Sequence, residues 1–162
     1  MSRFQLSLSS EVLIAIGSVS AQWATLEYYL ARTTLGCVEK FRNQLSCHFN
    51  KTGFFERREA FYESLTWPNV PPEIKEAGVK LIERIAQAEN KRHTIIHGMA
   101  SEAEGPQPTE ATRILIAREH SKYWFAEHFT VGQIEAIADE IADINGDLLR
   151  LLMYLYGAER HP

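Results

Sequence analysis

A chain of 162 residues that is 45% hydrophobic, with a formal net charge of −4, is sized for one domain with a self-sufficient core. The acidic balance argues against a general nucleic-acid coat, whose affinity would come from Lys and Arg, and the two cysteines, Cys37 and Cys47, lack the spacing of a disulfide framework or a zinc site. Apolar runs such as "VLIAI" at 12–16 are too short to span a bilayer or form a secretory leader, so a soluble, cytoplasmic protein with no membrane association is expected.

Ser9 or Ser10 can cap a first helix whose apolar residues Val12, Ile16, Val19, Trp23, Leu26 and Leu30 recur at alternating steps of four and three. The pattern loosens near Gly36 and resumes through Phe41 and Leu45, predicting a bend or a restart before "NKTG". A second helix, "FFERREAFYESL", is broken by the prolines of "TWPNVPP", which also start the third. That third helix, from about Pro72 to His97, carries Ile74, Gly78, Leu81, Ile85, Ala88, Arg92 and Ile95 along one seam, which puts a cation in a core-facing slot. Gly98 stands where a helix ends, leaving His97 in the final turn.

"SEAEGPQPTEA" lacks any period and reads as a polar loop. Residues 113–129, rich in Ile, Tyr, Trp and Phe, predict a β-hairpin turning near His120 and Ser121. Thr130 and Gln133 form a capping box for a last helix whose seam is Ile134, Ile137, Ile141, Ile144, Leu148, Leu151 and Leu155. The expected fold is mainly all-α: a single-domain antiparallel up-and-down bundle over 1–162 with a small β-hairpin before the last helix. Seams this regular also suit helix-mediated dimerisation.

Chemistry concentrates in "AENKRHTIIHGMA", residues 88–100. Over residues 80–100, Lys80, Arg84, Lys91 and Arg92 outnumber Glu83 and Glu89, whereas residues 130–162 are acidic. Taken singly, an Arg or His near a helix C-terminus complements the helix dipole and bonds its last carbonyls. Arg92 in a core register must in addition snorkel or find an anion. A metal reading arises because Glu89, His93 and His97 share one stripe; "HTIIH" has the spacing of H-E-x-x-H, but Thr94 stands where the general-base Glu belongs, so zinc protease chemistry is not expected.

Arg92, four intervening residues and His97, with polar His93 directly after the Arg and Gly98 closing the helix, resemble the R-x(4–6)-H signature of HEPN domains. "AQWATLEYYL" at 21–30 is similar to the first helix of several such proteins, in which an aromatic and a Glu recur. The resemblance implies a metal-independent, cofactor-free endoribonuclease of toxin or antiphage type. It would act on single-stranded RNA as a homodimer, with an antitoxin or nucleotidyltransferase as further partner. RNA supplies the 2′-hydroxyl nucleophile, so His97 would be the general acid/base and Arg92 the cation facing the phosphorane. His93 would position His97 or a phosphate oxygen, and Glu89 would orient the guanidinium. The other function class implied is a non-catalytic HEPN-like module that binds RNA, a nucleotide or a protein.

Positions five apart on a helix diverge by about 140°. Arg92 of one chain is therefore expected to meet His97 of another, which makes dimerisation a functional requirement. His48, His120 and His128 suit capping, turn and cross-strand packing; Trp23, Trp67, Trp124, Tyr123 and Phe125 suit core positions or base stacking; Arg57 and Arg58 suit a basic rim or a solvated face. No Gly-rich phosphate loop, G-x-S-x-G or Cys/His nucleophile pair is present.

Overall fold

The computed structural model describes residues 8–42, 44–45, 53–97, 99–102, 113–120 and 123–157; from 99 to 126 the description is of backbone alone. The fold is a mainly α-helical bundle: α1 (Ser10–Phe41), α2 (Phe54–Leu65), α3 (Pro72–His97), β1 (Met99–Glu102), β2 (Arg113–His120), β3 (Tyr123–Thr130) and α4 (Val131–Leu155). Among the described residues no helix is long and apolar enough to cross a membrane.

Ser9 caps α1, its carbonyl accepting from the Leu13 amide at 3.1 Å and its Oγ from the Val12 amide at 3.5 Å. The helix runs unbroken through Gly36, contrary to the expected bend. A Cβ there would sit 3.3 Å from Leu155 Cδ1, so the glycine serves close packing. The helix stops at Phe41, and the next residue, Arg42, takes φ 52; Leu45 lies outside the helix. Such a left-handed residue is a common helix terminator.

The chain groups into two compact units, Met1–Ala21 with Ala88–Glu140, and Gln22–Gln87 with Ile141–Pro162. In the first, Val12, Ala15, Val19, Ala88, Ile95, Ile134, Ile137 and Ala138 are buried. Ala15 takes the slot expected for Ile16, which is half-buried. The expected hairpin pairs β2 with β3 from Arg113↔Thr130 to His120↔Tyr123. A third strand joins it: β1 pairs with β2 from Met99↔Ala117 to Glu102↔Ile114, so the sheet order is β1-β2-β3. Ser101 and Glu102 are thus strand where a loop was expected. Four residues carry too little period to announce a strand, and pairing with β2 decides it. The capping box forms, with Gln133 N donating to Thr130 Oγ1 at 3.1 Å and Thr130 N to Gln133 Oε1 at 2.8 Å.

The second unit has its core in Trp23, Leu26, Leu30, Phe61, Leu65, Ile74, Leu81, Ile85, Ile141, Ile144, Leu148 and Leu151. Gly78 lets α2 and α3 touch, since a Cβ at that position would lie 2.4 Å from Leu65 Cδ1. Asn145, 5% exposed, donates to the Gln22 carbonyl at 3.0 Å. Lys40 Nζ donates to the Tyr154 and Leu155 carbonyls at 3.0 and 3.2 Å, closing the end of α4, and Asn69 Nδ2 donates to the Phe41 carbonyl at 2.7 Å.

Helix directions follow from these contacts. Arg84 bonds Asp147 and, within the first unit, Lys91 bonds Glu140, so α3 and α4 run antiparallel as expected. Trp23 meets Phe54 and Glu27 meets Arg57, so α1 and α2 run the same way instead of forming an up-and-down pair. The connection 42–53 is long enough for this. Twelve extended residues span roughly 40 Å, more than the about 27 Å of helix between Trp23 and Phe41. The α4 seam expected to serve folding or dimerisation is buried within the chain from Ile134 to Leu155.

Candidate functional site

The last two turns of α3 bring together the residues the sequence singled out. Arg92 is half-buried rather than fully inside. The seam passes instead through Thr94 and Ile95, 5% and 2% exposed, and Thr94 Oγ1 donates back to the Asn90 carbonyl at 3.3 Å. The Arg92 Nε is buried, while its Nη1 reaches the exposed end of the helix.

There Arg92 Nη1 lies 3.0 Å from His97 Nε2. A guanidinium has no acceptor, so it donates and Nε2 accepts, which leaves the imidazole proton on Nδ1. This contact corrects the expectation that one chain could not pair the two residues. Cα–Cβ bonds on a helix tilt toward its N-terminus, so the His97 ring leans back over the preceding turn, and the long Arg stem covers the remaining angle. Pairing therefore does not require a second chain.

His93 is exposed on the same turn, its ring centroid 4.7 Å from that of His97 and tilted by 49°. Glu89 is half-buried, one turn before His93. Among the described residues no group of three His, Cys, Asp or Glu converges as metal ligands would. The His97 lone pair that a metal would need is engaged by Arg92. Gly98 lies outside the described residues, as do Cys47 and His48.

The basic excess around this segment is largely neutralised. Lys80 bonds Glu76 at 2.7 Å, Arg84 bonds Asp147, and Lys91 bonds Glu140 at 2.6 Å. Lys91 and Glu140 also line an open groove of about 540 Å³ between α3, β3 and α4, together with Glu127, His128, Phe129 and Gln133. Sequence reading missed this groove. Its walls come from residues some 49 positions apart, as in the Lys91–Glu140 pair, and no local pattern signals that proximity. His128, expected in packing, is exposed along it.

The remaining candidates have structural partners or lie beyond description. Buried Trp23 donates to Glu27 Oε1 at 2.8 Å, and Glu27 also pairs with Arg57 at 3.4 Å, so the aromatic and Glu of "AQWATLEYYL" join α1 to α2. Arg58 sits 5.2 Å from the centre of the Phe55 ring, and Trp67 is half-buried. The side chains of His120, Tyr123, Trp124 and Phe125 lie outside the described residues. No protein-family model, curated protein or solved structure matches the chain.

Proposed function

We propose that the chain is a metal-independent endoribonuclease of HEPN type, acting on single-stranded RNA through Arg92 and His97. The observation that carries this reading is the 3.0 Å contact between the two side chains at an exposed helix end. An imidazole whose Nε2 holds its lone pair is ready to take a proton, and the group bonded to it is the one best shaped to grip phosphate oxygens. As RNA binds, the guanidinium moves from His97 to the nonbridging oxygens and frees Nε2. His97 then takes the proton of the 2′-hydroxyl, the 2′-oxygen bonds to phosphorus, the bond to the 5′-oxygen breaks, and the departing 5′-oxygen takes a proton from water. The products are a 2′,3′-cyclic phosphate and a 5′-hydroxyl.

A homodimer remains part of the proposal as the form in which two such pairs line one cleft, with a toxin or antiphage role in the cytoplasm and an antitoxin or nucleotidyltransferase as regulator. The decisive assay is cleavage of single-stranded RNA in EDTA. Arg92→Ala and His97→Ala should each lower the rate by about 100-fold or more, the scale of a lost general base or phosphate clamp. Undiminished cleavage in both variants would remove the assignment.

One observation favours a second reading. The contact that pairs Arg92 with His97 also occupies the nitrogen a base would use, as expected of a binding module that grips phosphate without cleaving it. RNA retention without cleavage, lost in Arg92→Ala, is the result that selects this reading.

A further inference from the structure

We infer that the outward face of α2 is an interface with a second copy of this chain, formed by antiparallel two-fold pairing of α2 with its counterpart. The ribonuclease reading calls for two copies without naming the surface that joins them; this face is chosen on observations at α2 alone.

One side of α2 turns inward, burying Ala60, Phe61, Ser64 and Leu65. On the other side Phe55 and Tyr62 are 56% and 46% exposed, seven residues apart and so nearly in line along the helix. Exposed Glu59 and half-buried Arg58 lie between them, within the same arc of about 100°. The Arg58 guanidinium carbon is 5.2 Å from the centre of the Phe55 ring, which keeps the cation beside the aromatic at this surface. Arg57, by contrast, is turned toward α1, where it meets Glu27 at 3.4 Å. Two aromatic side chains left in water on a 12-residue helix are apolar area that association would remove.

The order of the four residues says what covers them. When two copies of one helix pair antiparallel about a two-fold axis, residues equidistant from the axis on either side face each other. The midpoint of this stripe falls between Arg58 and Glu59, with Phe55 three residues before the first and Tyr62 three after the second. Arg58 of one copy therefore faces Glu59 of the second copy, and Phe55 faces Tyr62. The two-fold repeats each contact, so two opposite-charge pairs are flanked by two aromatic pairs. A foreign partner would have to bring the complement of this pattern, whereas a second copy already carries it. A helix of 12 residues is about 18 Å long. The contact is therefore small for a protein interface and belongs to a dimer that forms in micromolar to millimolar protein.

Charge reversal tests the pairing. Sedimentation equilibrium of the full chain over that concentration range should show the parent protein moving from 18.5 kDa to twice that mass. Arg58→Glu and Glu59→Arg each set like charges against each other twice per dimer. Each should weaken self-association by about tenfold or more, with helicity unchanged. An equimolar mixture of the two variants restores opposite charges at both positions, so its association should return to within about threefold of the parent's. The double variant R58E/E59R should associate alone for the same reason. A parent protein that stays monomeric assigns the face to another protein or to RNA and overturns the inference. Self-association unaffected by either reversal, or not restored in the mixture, overturns it too. RNA cleavage plays no part in these readouts, so the ribonuclease reading fails separately, through undiminished cleavage in Arg92→Ala and His97→Ala.

Discussion

Arg92 and His97 lie five residues apart on one helix, yet Arg92 Nη1 donates to His97 Nε2 at 3.0 Å. Because the guanidinium can only donate, the contact selects the Nδ1–H tautomer of His97. Long-range proton–nitrogen NMR on the neutral ring should show Nε2 unprotonated in the parent protein, and a shift toward Nε2–H in Arg92→Ala. An Nε2–H ring in the parent protein would contradict the contact.

Gly78→Ala tests the contact between α2 and α3. A methyl there improves helix propensity by about 1 kcal/mol, but it enters the space of Leu65 Cδ1 and Cδ2, and Leu65 is fully buried. Overpacking of this kind costs roughly 1–3 kcal/mol. A net loss of about 1 kcal/mol is expected in urea denaturation. In a Leu65→Ala background the same substitution should become neutral or stabilising; an unchanged penalty there would show that Leu65 is not the obstacle.

The junction between β3 and α4 should depend on Thr130. Its Oγ1 accepts from the Gln133 amide at 3.1 Å, a donor otherwise unsatisfied within the helix. Thr130→Ala should cost about 1 kcal/mol, and Thr130→Ser should restore most of it. Thermal melts of the three proteins would decide this.

Cys37 gives a pH prediction. Burial pushes its thiol from 9.0 up to about 11, against smaller opposing effects of a hydrogen bond with Ser64 and the charge of Lys40. The folded state therefore holds the proton more tightly than the unfolded chain. The stability this contributes is complete below about pH 9 and is lost as pH rises toward about 11. Stability of the parent protein should decline over that interval, and less steeply in Cys37→Ala. Peptide mapping after iodoacetamide at pH 8 should find Cys37 unmodified until denaturant is added.

Much of the helical framework was legible because its signals are local. Ser9, the Thr130–Gln133 box and the four-three spacing of α4 each act within a turn or two of chain, and the structure uses all of them. Gly36 misled because a glycine reads as a break when nothing is known of its neighbour, here Leu155, more than a hundred residues away. β1 escaped notice for the same reason: its identity is a property of its partner β2.

The candidate site divides along the same line. The order of residues along α3 determined that Arg92, His93 and His97 would share its C-terminal turns, because helical geometry follows from local backbone preference and a hydrophobic period. It could not determine which groups would touch. The fixed 140° offset argued against an Arg92–His97 pair, and the flexible stem of Arg92 with the backward lean of His97 made one. Only the tertiary structure decided that Lys91 turns to Glu140 and that the α4 seam is consumed within the chain. Those outcomes depend on which distant segment lies opposite each residue, and burial and charge pairing choose that partner only after the chain has folded.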